Sequence, residues 1–363
     1  MTADAVGGVW TYAMALAEQL AHRGVDVVLA VMGPAPSTAQ REEAQCVPRL
    51  TLEWADFKLE WMHAPWADVA HAGQWLLALA AERRIDLVHL NGYAHAALPW
   101  RQPVLVVAHS CVCSWWRAVH GVEAPPEWEA YRRSVAQGLA AADHLAAPTQ
   151  AFLDEMRRRY QPTAPTSVIP NARAARAFSG DPQAPRDELI LASGRLWDEA
   201  KNMRTLDEAV RGLPWRTCAA GSAAAPDGAR FAATGLEVLG CLPERELASW
   251  LQRAAIYVHP AKYEPFGYAV LEAGLAGCAL VLADLPTLRE SWGDAALYAD
   301  PNDAAALRAQ LERVIAEPAL RGRLARAARE RAASLDPEEM GRRYVDLYGA
   351  LIERGRTRER AVA

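Results

Sequence analysis

Lysine is almost absent from this sequence. Of its 39 basic residues only Lys58, Lys201 and Lys262 are lysine, the rest being arginine. A lysine inside a motif therefore stands out. Excess positive charge is lacking too: 44 acidic residues leave a net charge of −5, so no global positive field points to nucleic acid. No apolar run approaches the ~18 residues of a membrane-spanning helix. Cysteine is sparse, with six residues scattered at 46, 111, 113, 218, 241 and 278. Such spacing reads as reduced thiols, not as a disulfide framework. Cys111 and Cys113 form the only close pair, without the second pair that zinc would need, and no Asp-x-Asp offers a divalent site, so no metal is expected. No charged-then-apolar leader is read at Met1, and a cytoplasmic location is expected.

What is present is enough for two domains. The chain has 363 residues, 52% hydrophobic and 23% charged, and domains cluster near ~100–200 residues. Short β-rich apolar runs alternate with helical patterns along the whole length, which signals parallel sheets covered by helices. Strands are expected near 25–32, 86–91, 103–110, 144–148 and 167–170, then near 188–193, 216–220, 237–239, 256–259, 279–283 and 296–298. Helices are expected near 9–23, 68–84, 127–141 and 150–160, then near 202–211, 244–253, 267–276, 304–316, 319–333 and 338–353. Pro170-Asn171-Ala172, Ser179-Gly180-Asp181-Pro182 and Ala184-Pro185 punctuate the chain between the halves. The expected domains are 1–171 and 172–336, two doubly wound α/β units facing a cleft, with 337–363 crossing back to the first as a helix and a basic tail. Ligands in such sheets bind at the carboxyl ends of the strands.

Two constellations carry chemistry. The first runs from His259 through Glu264-Pro265-Phe266-Gly267 to Glu272. A strand is expected to end at His259 and a helix to begin near Gly267, whose first amides suit a phosphate. Glu264 precedes that helix and Glu272 lies inside it. The surrounding residues are apolar, and buried carboxylates need donors. The second is Gly194-Arg195 followed by Lys201-Asn202, at the carboxyl end of the expected strand 188–193. Two cations there could clamp a diphosphate without a metal. A unit charge at about 4 Å is worth on the order of 4 kcal/mol at an effective dielectric near 20. The plainer reading is a surface pair near Asp198 and Glu199 worth under ~1 kcal/mol.

Together with Gly7-Gly8 opening a helix and Ile169-Pro170-Asn171, these segments resemble the retaining glycosyltransferases of the GT-B fold. That large family (family four, group 1 type) includes sucrose synthases and bacterial mannosyltransferases, and the resemblance runs from Ala3 to about Tyr348. It implies roles residue by residue. Gly8 would approach a nucleotide diphosphate, and Arg195 and Lys201 would neutralise it beside the amides of Phe266 and Gly267. Glu272 would bind the ribose hydroxyls, and Glu264 would face the transferred sugar. The strand 104–108 would deliver His109 to contact that sugar, the plainer reading being a satisfied core histidine. Asn91, Trp115 and Trp116 are placed on the acceptor side, where aromatic faces could stack on a sugar; most other tryptophans are read as core. Chemistry would retain configuration, with the leaving phosphate helping to deprotonate the acceptor and no metal or cofactor. The implied partners are a nucleotide-sugar donor and a small-molecule, glycan or lipid-linked acceptor, with no nucleic acid.

Departures exist. Ala172 follows Asn171 where glycine is common, and Asp284-Leu285-Pro286-Thr287 lacks the glycine pair often found before Glu290. Gly7-Gly8 should follow a buried strand of five or six residues, yet only Thr2-Ala3-Asp4 is available as its tail. The first strand thus reads as missing, and the first domain as marginal unless rearrangement or a partner chain fills the gap. The basic stretch 354–360 is read as solvated, with contact to an acidic membrane surface as the weaker option. Two rivals remain: a nucleotide-sugar-binding subunit without turnover, and a dinucleotide oxidoreductase. The latter is disfavoured because no G-x-G-x-x-G follows a strand.

Overall fold

Runs of Val, Leu, Ile and Ala form thirteen strands among the described residues, and every strand pairing is parallel. The computed structural model describes residues 1–181, 184–225, 228 and 230–362. The side chains of 177 and 358–362 fall outside it, as does Pro182 of the expected linker. Two compact units result. The first comprises 1–114, 123–172 and 336–363, the second 115–122 and 173–335. The expected first domain is thus interrupted, with 115–122 grouped in the second unit.

In the first unit β1 (Thr2–Asp4), β2 (Val27–Met32) and β3 (Leu50–Ala55) form one sheet in the order β1-β2-β3. A second sheet holds β4 (Val88–Leu90), β5 (Val104–Val107), β6 (His144–Ala147) and β7 (Thr166–Val168) in chain order. The expected tail Thr2–Asp4 forms this first strand, at three residues of the five or six expected. It pairs Thr2 with Ala30 and Asp4 with Met32. Its other edge reaches the second sheet through a side chain: Asn91 donates from its backbone N to Thr2 Oγ1 (3.0 Å) and from Nδ2 to Thr2 O (2.7 Å). An apolar cavity lies under Met1, lined by residues including Val28, Leu76, Leu79, Ile85, Leu87 and Trp100.

The helix Pro337–Val362 belongs to this unit. It is longer than the expected 338–353 and carries on through the basic stretch that was read as a tail. Met340, Tyr344 and Leu351 are buried, and two arginine-to-carbonyl hydrogen bonds tie the helix to the rest of the unit. Arg343 donates to Val168 O (2.6 Å) and Arg23 to Glu338 O (2.7 Å).

The second unit is a six-stranded sheet made from β8 (Asp187–Ser193), β9 (Arg216–Ala220), β10 (Glu237–Gly240), β11 (Ala254–His259), β12 (Ala279–Ala283) and β13 (Ala296–Ala299). Their order is β10-β9-β8-β11-β12-β13. Connections run one way from β8 to β10 and the other way from β11 to β13, so the order reverses between β8 and β11. Alternation along the strands feeds two cores. Leu191, Tyr257, Leu280 and Leu282 pack on the helix Tyr268–Ala276, while Ile190, Ala192, Ile256 and Val258 pack with Leu206 and Leu311. Each such Leu or Ile contributes about 1.5–3 kcal/mol on burial, so the strand ends at the reversal are rigidly held. Asp303 caps the helix Ala304–Ala316 by accepting from Ala306 N at 2.9 Å.

Four elements were not expected: the helices Thr38–Gln45, Val112–His120 and Pro286–Trp292, and the strand β3. β3 is half-exposed and carries Glu53, so it lacks the continuous apolar signature of a buried parallel strand. The three helices have 8, 9 and 7 residues, about two to two and a half turns, well short of the 11–18-residue window that shows helical periodicity. No helix among the described residues is long and apolar enough to cross a membrane.

Candidate active site

The loops that follow β8 and β11 meet where the strand order reverses, the usual position of a ligand crevice in such sheets. Glycine makes the approach possible. Gly221, just beyond β9, has φ +138, and a Cβ there would lie 1.7 Å from Gly194 O. After Gly194, Arg195 turns back to Asp198, with Nη2 2.8 Å from Oδ2. The nearly buried Asp198 also accepts from Ala200 N at 2.9 Å. Arg195 itself is 45% exposed, so the pair adds little stability and the guanidinium stays available to an anion.

Lys201 ends the 3₁₀ turn Glu199–Lys201, and Asn202 follows in the left-handed region at φ 56 before the helix Met203–Ala209, which starts one residue later than expected. Asn202 fastens this corner, because Nδ2 donates to Pro260 O (2.9 Å) and Pro301 O (2.7 Å) while Oδ1 accepts from Thr205 Oγ1 (2.8 Å). One side chain thus ties together the loops after β8, β11 and β13.

Lys201 Nζ lies 2.6 Å from Glu264 Oε2, and His259 Nε2 lies 3.0 Å from the same oxygen. Here are the donors that the buried carboxylate required. Burial alone would raise the Glu264 pKa, but Lys201 and His259 outweigh it and hold the carboxyl well below the usual range. Burial lowers His259 against the pull of Glu264. The Glu264 backbone is fixed as well, since Thr287 Oγ1 donates to its carbonyl at 2.6 Å.

Phe266 packs its ring into the core, 5.4 Å from that of Tyr268. Gly267 is the residue before the helix Tyr268–Ala276 and sits at φ +93, with a virtual Cβ 3.2 Å from Val270 Cγ2 and 3.3 Å from Glu264 Cγ. Gly267→Ala should therefore destabilise by about 1–2 kcal/mol and lower the Tm by roughly 2–8 °C. A variant melting at the wild-type temperature would contradict this account of the turn. Glu272 lies on the fifth residue of the helix and is 9% exposed. Its partner is Arg173, with Nε 3.2 Å from Oε1; Arg173 also pairs with Glu244 and lies over the Phe178 ring. Burial pushes Glu272 up to about 7, opposed by Arg173 and assisted by Glu244.

The first unit holds Gly8, Asn91 and His109, while Trp115 and Trp116 group with the second. Gly8 is exposed at the start of the helix Gly8–His22. His109 follows β5 directly, with Nε2 2.9 Å from Asn91 Oδ1. Burial lowers its pKa to about 3, so it is neutral. Trp115 and Trp116 lie on the helix Val112–His120 with ring centroids 6.1 Å apart, both against His120, and Trp115 Nε1 is 3.3 Å from Asp198 Oδ1. The residues that sequence reasoning did not assign are His259, Arg173, Asp198 and Thr287. Arg173 had a usable signal: a carboxylate inside an apolar helix needs a cation, and Arg173 stands two residues beyond Asn171. Among the described residues no group of three or more His, Cys, Asp or Glu could hold a metal.

The model described as Glycosyltransferase Family 4 matches residues 6–173, and that described as Glycosyl transferases group 1 matches residues 178–331. The chain belongs to the glycosyltransferases that these two domains define, and it has the GT-B fold. It is 29% identical to glycogen synthase of Mycobacterium tuberculosis, over 91% of this chain and 87% of that protein. It is 26% identical to D-inositol 3-phosphate glycosyltransferase of Streptomyces avermitilis, over 99% and 86%. Among solved structures, sucrose-phosphate synthase of Thermosynechococcus elongatus superposes with a TM-score of 0.77 at 20% identity, covering 96% of this chain and 94% of that one. Anabaena Alr3699/HepE in complex with UDP-glucose gives 0.71 at 16%, covering 95% and 96%.

Proposed function

We propose that this glycosyltransferase moves a sugar from a nucleoside diphosphate sugar to an acceptor hydroxyl, with retention of configuration and without a metal. The observation that carries this reading is the placing of Arg195 and Lys201 on successive turns after β8, with Glu264 from the β11 loop on the lysine at 2.6 Å. Two fixed cations neutralise a departing diphosphate as charge develops on it. Glu272 accepts from the ribose hydroxyls, Gly8 lets the first loop approach the phosphates, and His109 accepts from a sugar hydroxyl. The bond from the anomeric carbon to the phosphate oxygen breaks with its electron pair passing to phosphate. The acceptor oxygen attacks on the same face and its proton passes to the leaving oxygen. No protein base is needed for that transfer, so the residues act by positioning and electrostatics.

UDP-glucose is the first donor to try, because a similar protein is solved with it. The acceptor is a hydroxyl of a small molecule, glycan or lipid-linked molecule. Maltooligosaccharide and inositol 3-phosphate follow from the relatives' names as first probes. The test is proton NMR of the product formed with UDP-, ADP- and GDP-sugars in EDTA. The expected product keeps the α configuration of the donor, and turnover is unaffected by EDTA. A β product, or turnover that needs Mg²⁺ or Mn²⁺, would overturn the proposal. Donor binding without transfer or hydrolysis would favour the reading as a binding subunit.

A further inference from the structure

A buried polar chain in the first unit runs beneath His109. Asn91 Nδ2 faces Thr2 O at 2.7 Å. A carbonyl can only accept, so the Asn91 atom facing it is the amide nitrogen and the oxygen points the other way. That oxygen lies 2.9 Å from His109 Nε2 and 3.2 Å from His89 Nε2. Amide oxygen has no hydrogen to give, so both imidazole nitrogens must carry one. His89 Nδ1 is then left as an acceptor, and Tyr348 Oη stands 2.6 Å from it as the donor. Tyr12 Oη, 3.3 Å from His89 Nε2, shares that hydrogen as a second acceptor. The Tyr12 ring packs on His109 with centroids 4.4 Å apart.

We propose that Asn91 is a positioning residue: anchored by the Thr2 carbonyl, it locks His109 in the Nε2–H tautomer, so that Nδ1 offers a lone pair to a hydroxyl of the transferred sugar. This rests on the reading that His109 meets that sugar, and it replaces the acceptor-side role expected for Asn91. Tautomer choice by the partner of the opposite ring nitrogen is the general rule for histidine. Burial excludes the doubly protonated form near neutrality, since His109 and His89 are both held well below their ordinary values. The titratable groups packed around the pair are the Met1 ammonium, Tyr12, Tyr344 and Tyr348.

The test is a two-bond ¹⁵N–¹H correlation spectrum of the full chain labelled at histidine, with His109 signals assigned by their loss in His109→Gln. The expected wild-type spectrum has hydrogen on His109 Nε2 and a lone pair on Nδ1. Hydrogen on Nδ1 instead would overturn the proposal, whatever the variants do. In Asn91→Leu the lock is gone: both tautomers should appear and kcat should fall about tenfold, the usual weight of one hydrogen bond, with the donor KM little changed. A folded Asn91→Leu that keeps the pure Nε2–H tautomer, or full kcat, would also overturn it. The functional reading fails separately, if His109→Gln turns over like wild type while the tautomer stands as expected.

Discussion

Replacing Lys201 by alanine should lower turnover by roughly 10²–10³-fold, the usual loss when one fixed donor to a developing anion is removed. The nearest precedent within the chain is its own carboxylate: Lys201 already neutralises Glu264 at 2.6 Å with only 19% of its side chain exposed. Alanine leaves Glu264 with His259 alone, and burial then drives the carboxyl upward. In the wild type the depressed Glu264 pKa adds stability above its unfolded value of about 4.5, and this is lost as pH falls. Lys201→Ala should lose that contribution at neutral pH too. The cost is about 3 kcal/mol, the low end for breaking a buried pair, because the lysine is partly solvated. Urea unfolding at pH 7 reads the stability and a coupled assay reads turnover. Full activity in a folded Lys201→Ala protein would remove the cation from the mechanism.

Glu272→Ala should weaken nucleoside diphosphate binding roughly 10- to 100-fold, since two hydrogen bonds from a diol to a charged acceptor are lost. The pH dependence is the sharper signature. Glu272 sits at about 7 in the free protein, so near pH 6 most of it carries a proton that ribose hydroxyls must displace. Affinity of the wild type should therefore rise about tenfold between pH 6 and pH 8, and Glu272→Ala should abolish the rise. The stability linkage has the opposite sign to that of Glu264: a raised carboxyl pKa favours the fold at low pH, and that contribution is lost as pH rises from about 4.5 through 7. Titration calorimetry at the two pH values decides it. Equal wild-type affinities at both would detach Glu272 from the ribose.

Much of this was legible from residue patterns, for identifiable reasons. β11 and β12 are buried along their whole length and β8 from Leu189 onward, so each carries an uninterrupted apolar run and its position falls within two residues of expectation. The Arg195–Lys201 and Glu264–Glu272 segments could be found because each follows such a strand. What was not legible depends on distance in space. Nothing local says that Lys201 and Glu264, 63 residues apart, share an ion pair, or that Arg173 reaches Glu272. The helix after Lys201 starts one residue later than expected because Asn202 adopts a left-handed conformation, with its side chain donating to two remote carbonyls, those of Pro260 and Pro301. His89 and Tyr348 are 259 residues apart and each alone looks like an ordinary core residue. The first strand is only the tail Thr2–Asp4 that the sequence offered, and the side chain that serves its free edge, Asn91, is 89 residues away.

Titration of UDP, ADP and GDP against the corresponding monophosphates, in EDTA, tests the metal-free diphosphate cradle most directly. The account predicts that the diphosphate of the preferred base binds at least about tenfold more tightly than its monophosphate, one charge-assisted contact or more. It predicts also that Lys201→Ala closes most of that gap. Equal affinity for the two, or a preference that appears only when Mg²⁺ is added, would contradict it.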